Sequence, residues 1–372
     1  MTRPAPRRPR GFTLVELLVV LVIIGILVAL LTPAIVSAVR KAKSAAVQAE
    51  INQLAQALAD FKSKYGDYPP SRVLLNEGGF YAQVDNTPVS SGNADVTYNQ
   101  LAQRSITALR KFWPRVSMTF GANASISPTF YYDFNGNGQP DADTLGRGFL
   151  LQGHECLVFF LGGIPVRDAT GNVTGMGGFG KLPTNPFQNS VVTSNRTAPM
   201  FEFNSGRLLV VSSHGIPGYV DTFNGASSNP SFYAYFSTNL GNGYDPNDCN
   251  GNEQDGNGTQ IALQFITGFP VYSGGTASHL TLSPAPNPYT SSAPAGTVQT
   301  VSFQNSQSFQ IISPGADGSY GVGGLYTPTA TGGGALPAEN TGSANPYSNS
   351  TDPGLRNTER DNLTNFHNGS LE

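Results

Sequence analysis

The sequence predicts an α+β protein: a long N-terminal helix, its first half membrane-spanning and its second half amphipathic, packed on a loop-rich, mainly antiparallel β domain. Three observations predict it. Leu17 to Leu31 is an apolar run without a charge. Val47, Ile51, Leu54, Leu58 and Phe61 then recur at three- and four-residue steps, the stripe of a helix laid on a core. The body beyond is rich in Gly (43 in the chain) and Pro (27), yet the chain is 10% aromatic, which argues against disorder. The boundaries that follow are a basic leader at 1–11, a span at 12–36, the amphipathic continuation at 37–66, a globular domain with a large insertion at 67–326, and a Gly/Asn-rich tail at 327–372.

Extending the apolar run to Phe12–Val15 and Ala34–Val36 gives roughly the 20 residues that a helix needs to cross a bilayer core. Arg3, Arg7, Arg8 and Arg10 precede it, and Arg40, Lys41 and Lys43 follow, so basic residues alone favour a cytoplasmic N-terminus only slightly. The sparse charge of the body favours an exported C-terminal domain. A secretory signal places its cleavage site after the apolar region; here the glycine, Gly11, stands before it. Glu16 is a carboxylate near the start of the span. Such residues usually mark function, although one this shallow also reads as a side chain reaching the headgroups.

The phrase Gly11-Phe12-Thr13-Leu14-Val15-Glu16, behind a basic leader and ahead of a long apolar run, resembles the signal of type IV prepilins and type II secretion pseudopilins. The resemblance implies a prepilin peptidase cutting between Gly11 and Phe12, N-methylation of Phe12, and pairing of Glu16 with the Phe12 amine of a neighbouring subunit. A charge pair of this kind gains strength where the dielectric is low. Gly25 and Pro33 stand at offsets common in that family, where the stretch between them loses helicity in several assembled filaments. Without the family, the two read as an ordinary bent membrane helix. The implied partners are other pilin-like subunits, the peptidase and an inner-membrane assembly platform. The implied location is the inner membrane, single-pass, with the C-terminal domain periplasmic or extracellular.

From Ser37 the helix runs to Tyr65 with neither Gly nor Pro, and Gly66 followed by Pro69-Pro70 ends it. Lys64-Tyr65-Gly66-Asp67-Tyr68-Pro69 is similar to the helix end of the major pseudopilins. Beyond it, 101–113 reads as a short helix, and 153–161 as a helix or, at 156–161, a buried strand. Strands are expected at 130–133, 200–203, 207–212, 232–237, 261–272, 298–303 and 308–312, where β-branched and aromatic residues are bounded by Gly, Pro, Asn or Ser.

Two segments offer oxygen ligands. Asp133-Phe134-Asn135-Gly136-Asn137-Gly138-Gln139-Pro140-Asp141-Ala142-Asp143 places oxygens at alternate steps with Gly at step 6, as a calcium loop does. The bidentate Glu at step 12 is replaced by Thr144, and the plainer reading is a surface loop of Asx turns. Asp245 to Asn257 is a fainter version. Ser313 to Gly321, with Asp317, is similar to the C-terminal loop of major pseudopilins, which in several members binds calcium; a hairpin turn is its plainer reading. Calcium is the one cofactor expected. Compact major pseudopilins are well under half this length, so residues near 76 to 300 have no counterpart there. Cys156 and Cys249 are the only cysteines and form a disulfide candidate in an exported domain, with burial of Cys156 as a small apolar residue the alternative.

Catalysis is not expected. His154, His214, His279 and His367 have no metal-ligand spacing, Ser213-His214-Gly215 lacks a nucleophile elbow, and Gly175 to Gly180 is not set between a strand and a helix. The formal net charge of -3 and the absence of a basic cluster outside the helix give no nucleic-acid surface. Two functional classes remain: a filament subunit, and a minor or tip binding module mounted on the same helix.

Overall fold

A computed structural model describes residues 13–81, 97–121, 130–141, 148–188, 195–212, 214–223, 231–238, 243–245, 248, 288–292, 302–321, 323–328, 336 and 358–371. Helix α1 (Leu14–Tyr65) is a single rod of 52 residues, about 78 Å at 1.5 Å per residue. Thr13 caps its start and Gly66 ends it in the left-handed conformation (φ 84°), with its N–H donating to Lys62 O at 2.8 Å. The helix passes through Pro33 without interruption. Val47, Ile51, Leu54, Leu58 and Phe61 are fully buried, as their spacing requires. Burying five such side chains contributes on the order of 10 kcal/mol in transfer terms, an upper figure.

The head assembles around this half of the rod. Strands β1 (Val73–Leu75) and β4 (Phe149–Leu151) form one antiparallel pair, and β2 (Phe80–Tyr81) and β3 (Thr119–Phe120) form a short parallel one. Helix α2 (Tyr98–Phe112) begins with a Thr97–Gln100 capping box. Helix α3 (Gly153–Gly162) is buried on every side; its apolar run Cys156–Leu161 is why periodicity alone left helix and strand undecided. Hairpin β5 (Pro165–Arg167) and β6 (Val173–Met176) follows, then β7 (Leu208–Leu209) with β8 (Gly218–Tyr219). Among the described residues the largest sheet has the order β11-β10-β9, from β9 (Ala234–Ser237), β10 (Phe309–Ser313) and β11 (Leu363–Thr364). Its register pairs Ile312 with Ala234 on one side and Thr364 on the other. The stretch 358–371 therefore returns to the head, with Leu363 and Leu371 fully buried.

The three helices meet at an aromatic cluster. Phe61, Tyr65, Phe112, Trp113 and Phe160 make mostly edge-to-face contacts with centroids 4.4–6.4 Å apart. A second core under the β11-β10-β9 sheet holds Phe232, Phe236, Tyr289 and Tyr326.

Three expected strands differ. Residues 131–133 lie outside any strand because the Tyr132 N–H is given to Glu77 O (2.8 Å). Residues 200–203 are also irregular, since the Met200 N–H caps Leu161 O at the end of α3 (2.8 Å). Within 207–212 only Leu208–Leu209 is strand, preceded by a 3-10 turn at Ser205–Arg207. The expected strand at 261–272 and most of that at 298–303 lie outside the described residues.

Candidate functional site

The N-terminal half of α1 is bare. Side chains from Leu14 to Val39 are about half exposed or more (Val20 46%, Leu14 78%), and nothing in the head covers them. The helix is long and apolar enough to cross a membrane. At its tip Thr13 and Glu16 close on each other. The Thr13 N–H and hydroxyl both donate to Glu16 Oε2 (2.9 and 2.8 Å), and the Glu16 N–H donates to Thr13 Oγ1 (3.2 Å). This capping box satisfies backbone donors that have no partner within the helix. It also holds the Glu16 carboxylate at the end of the rod. Gly25 meets open space and Pro33 lies within the exposed stretch. Gly11 and Phe12 precede the described residues.

The rod is fastened to the head by a half-buried polar knot that the sequence reading did not single out. Arg207 Nη1 and Nη2 donate to the two oxygens of Glu50 at 2.7 and 2.6 Å. The Tyr219 hydroxyl donates to the same carboxylate at 2.9 Å, and so does that of Tyr233. Burial alone would raise the Glu50 pKa, but bonding to Arg207 and Tyr233 and the Arg207 charge hold it below the ordinary carboxylate value. Nothing in the local sequence marks Glu50 or Arg207, which lie 157 positions apart.

The loop 133–141 is tightly closed. Asp133 accepts from the N–H groups of Asn137 (3.1 Å) and Gly138 (2.9 Å), Asn135 Oδ1 from Asn137 N (3.0 Å), and Asn137 Oδ1 from Gln139 N (2.8 Å). The amides of Asn135 and Asn137 both donate to Asp141 Oδ2, at 2.7 and 2.8 Å. Gly136 takes φ +71°, and a Cβ there would sit 2.2 Å from Pro165 O, so only glycine fits. The structure adds Glu77, which is 1% exposed and accepts from Phe134 N (3.1 Å) and Asp141 N (2.7 Å). Burial, with the Asp141 and Asp133 charges, pushes its pKa up to about 8 against those hydrogen bonds. Arg167 buttresses the loop by donating to Asn135 O (2.9 Å), Gly171 O (2.7 Å) and Gly215 O (2.6 Å). Asp133, Asn135, Asn137 and Asp141 are thus brought together; Asp143 lies outside the described residues. Among the described residues no group of three or more His, Cys, Asp or Glu is arranged to hold a metal ion.

In the C-terminal loop, Asp361 Oδ2 accepts from Ala316 N (2.7 Å) and Asp317 N (3.1 Å), and Asp317 Oδ1 from Ser319 N (2.7 Å). Burial and the neighbouring Asp361 push the Asp317 carboxyl up to about 6. Cys156 is fully buried within α3, and Cys249 lies outside the described residues. Beside Cys156, His154 is 5% exposed with its ring 4.9 Å from that of Phe232, and burial and then His214 push its pKa down to about 3.

A family model describing the prokaryotic N-terminal methylation motif matches residues 6–32. The chain therefore carries a prepilin-like signal, and the bare apolar helix that follows it is the element such a signal precedes. No curated protein and no solved structure matches the chain.

Proposed function

We propose that this chain is a structural subunit of a pseudopilus or type IV pilus-like filament. In this reading a prepilin peptidase cuts between Gly11 and Phe12, and the mature protein keeps α1 as its membrane anchor and filament core. The observation that carries it is the methylation motif at 6–32 leading into a rod whose apolar half is uncovered while its other half is built into the head. An apolar surface of that length needs lipid or other copies of the same helix. The motif belongs to precursors of structural subunits, so the work is mechanical rather than catalytic. Glu16 exchanges its capping bonds to Thr13 for the Phe12 amine of the next subunit, and the assembly platform supplies the ordering. The head then faces the periplasm or exterior. Glu16→Ala tests this: filaments should fail to form while the protein still accumulates in the membrane, and normal filament yield would refute it.

A second reading is a minor or tip subunit whose head binds a ligand. A cleft of about 580 Å³ beside α2, of a size usual for small-ligand sites, supports it. Calcium at loop 133–143 fits either reading, with Asp133, Asp141 and Asp143 offering carboxylates and Asn135 and Asn137 neutral amide oxygens. Calcium takes hard oxygen ligands of this type.

A further inference from the structure

We infer that the basic collar Arg40, Lys41 and Lys43, where the bare half of α1 ends, is a docking surface for anionic phospholipid headgroups. It seats the head on the leaflet that lies on its own side. The inference rests on the membrane-anchored state of the proposed subunit and is independent of filament formation.

The length of the rod places the collar. Glu16 and Arg40 are 24 positions apart in one unbroken helix, about 36 Å along its axis. A bilayer has a hydrocarbon core of about 30 Å and measures about 40–45 Å with its headgroups. The two charges that bound the apolar stretch therefore reach opposite headgroup layers together, and neither is left in hydrocarbon. Sliding the rod by two turns, about 11 Å, draws one of them into the core.

The collar also lies under the head. Arg40 and Lys43 precede Val47 by seven and four positions, so they continue downward the stripe that the head covers. Lys41 stands about 100° round the axis from Arg40. All three are exposed. Two turns above Arg40, Gln48 Nε2 donates to Thr364 O (3.0 Å) and Gln48 Oε1 accepts from Gly369 N (3.3 Å), so the C-terminal segment closes the base of the head there.

These cations are not neutralised within the chain. Among the described residues Arg40, Lys41 and Lys43 form no ion pair. The Arg40 charge is felt at Asp361, whose carboxyl burial raises against its backbone hydrogen bonds and that charge. Asp361 Oδ2 itself is engaged by Ala316 N (2.7 Å) and Asp317 N (3.1 Å). Basic side chains at the end of an apolar span lay their stems along it and hold the charge among the headgroups. Each one close to an anionic surface adds an attraction that salt screens. A zwitterionic headgroup brings its own cation to the phosphate; an anionic one leaves the phosphate for the collar. An acidic protein is the poorer occupant, because it would have to enter the headgroup layer between the head and the bilayer.

The test uses the full chain reconstituted in mixed phosphatidylcholine–phosphatidylglycerol bilayers, with electron paramagnetic resonance of spin-labelled forms of both lipids to give their relative association with the protein. Phosphatidylglycerol should be preferred about fivefold or more. The preference should at least halve in about 0.5 M NaCl. Combined Arg40→Gln, Lys41→Gln and Lys43→Gln should abolish it, whereas Arg40→Lys with Lys41→Arg and Lys43→Arg should keep it. Arg115→Gln, close to Trp113 at the far end of the rod, should leave it unchanged. Three results would overturn the inference: no preference in the native chain, a preference that survives the triple Gln change, or collar-dependent binding of polyglutamate without any lipid preference, which would make the collar a protein contact. The mass of the mature N-terminus in the same preparation separates the two proposals. A chain beginning at Phe12 without lipid preference removes the collar alone, and a preference shown by a chain still carrying Gly11 removes the filament reading alone.

Discussion

Replacing Glu50 with alanine should uncouple the rod from the head, and the geometry sets the size of the effect. The substitution leaves the Arg207 guanidinium, whose side chain is only 16% exposed, without its bidentate partner, and removes the acceptor of two tyrosine hydroxyls. Breaking one side of a fully buried pair costs about 3–5 kcal/mol, and this pair is partly exposed. Arg207 retains a bond from Nε to Val220 O (2.8 Å) and lies 4.2 Å from the Tyr219 ring centroid, which places the loss near the lower bound, about 3 kcal/mol. Glu50→Gln keeps an acceptor for the hydroxyls and should cost less, about 1–2 kcal/mol. Glu50→Leu combined with Arg207→Met should recover much of the loss, since an apolar pair of similar volume often replaces a buried ion pair without penalty. The assay is urea unfolding of the full chain in detergent, followed by fluorescence of the single tryptophan, Trp113, packed between Tyr65 and Phe160. The pH dependence has a defined sign. Because the folded Glu50 pKa is depressed, its stabilisation is present above the unfolded value of 4.5 and is lost as pH falls through the folded pKa; Glu50→Gln should lack that acid loss. Unchanged unfolding of Glu50→Ala would refute the claim that this knot couples the two parts.

Four further predictions concern the head. The folded pKa of Glu77 is raised, so metal-free protein should lose stability as pH rises from 4.5 towards about 8. The limiting slope is about 1.4 kcal/mol per pH unit, and Glu77→Gln should flatten it. If loop 133–141 takes calcium, calcium should raise the melting temperature at pH 8 in the native chain and not in Asp133→Ala or Asp141→Ala; equal responses would reduce the loop to a turn. His154 has the opposite sign. Its folded pKa is pushed down from 6.5 to about 3, so stability is complete above pH 6.5 and declines as pH falls across that window, and His154→Leu should remove this part of the acid sensitivity in pH-resolved melts. Gly136→Ala, forced to φ +71° with a Cβ 2.2 Å from Pro165 O, should lower the melting temperature more than Gly171→Ala, which meets open space.

The rod was legible in the sequence because its first half is one long apolar run, its second half carries a stripe at three- and four-residue steps, and its end is marked by Gly66 and two prolines. α2 was legible for the same reason, and β9 and β10 because aromatic and β-branched residues cluster between turn formers. What the sequence did not reveal depends on long-range pairing. Glu50 and Arg207 look like two ordinary surface charges until the chain brings α1 against β7 and β8. Glu77 sits in an unremarked Asn-Glu-Gly-Gly turn, and only folding carries it under loop 133–141. The 200–203 segment has strand-like composition, but its backbone satisfies the end of α3, a tertiary demand that overrides local preference.

The filament role depends most on where the mature chain begins. Mass spectrometry of the N-terminal peptide from membrane-extracted protein should find Phe12, N-methylated, as the first residue, with α1 retained. A mature chain beginning after the apolar stretch, or still carrying Arg7 to Gly11, would contradict it.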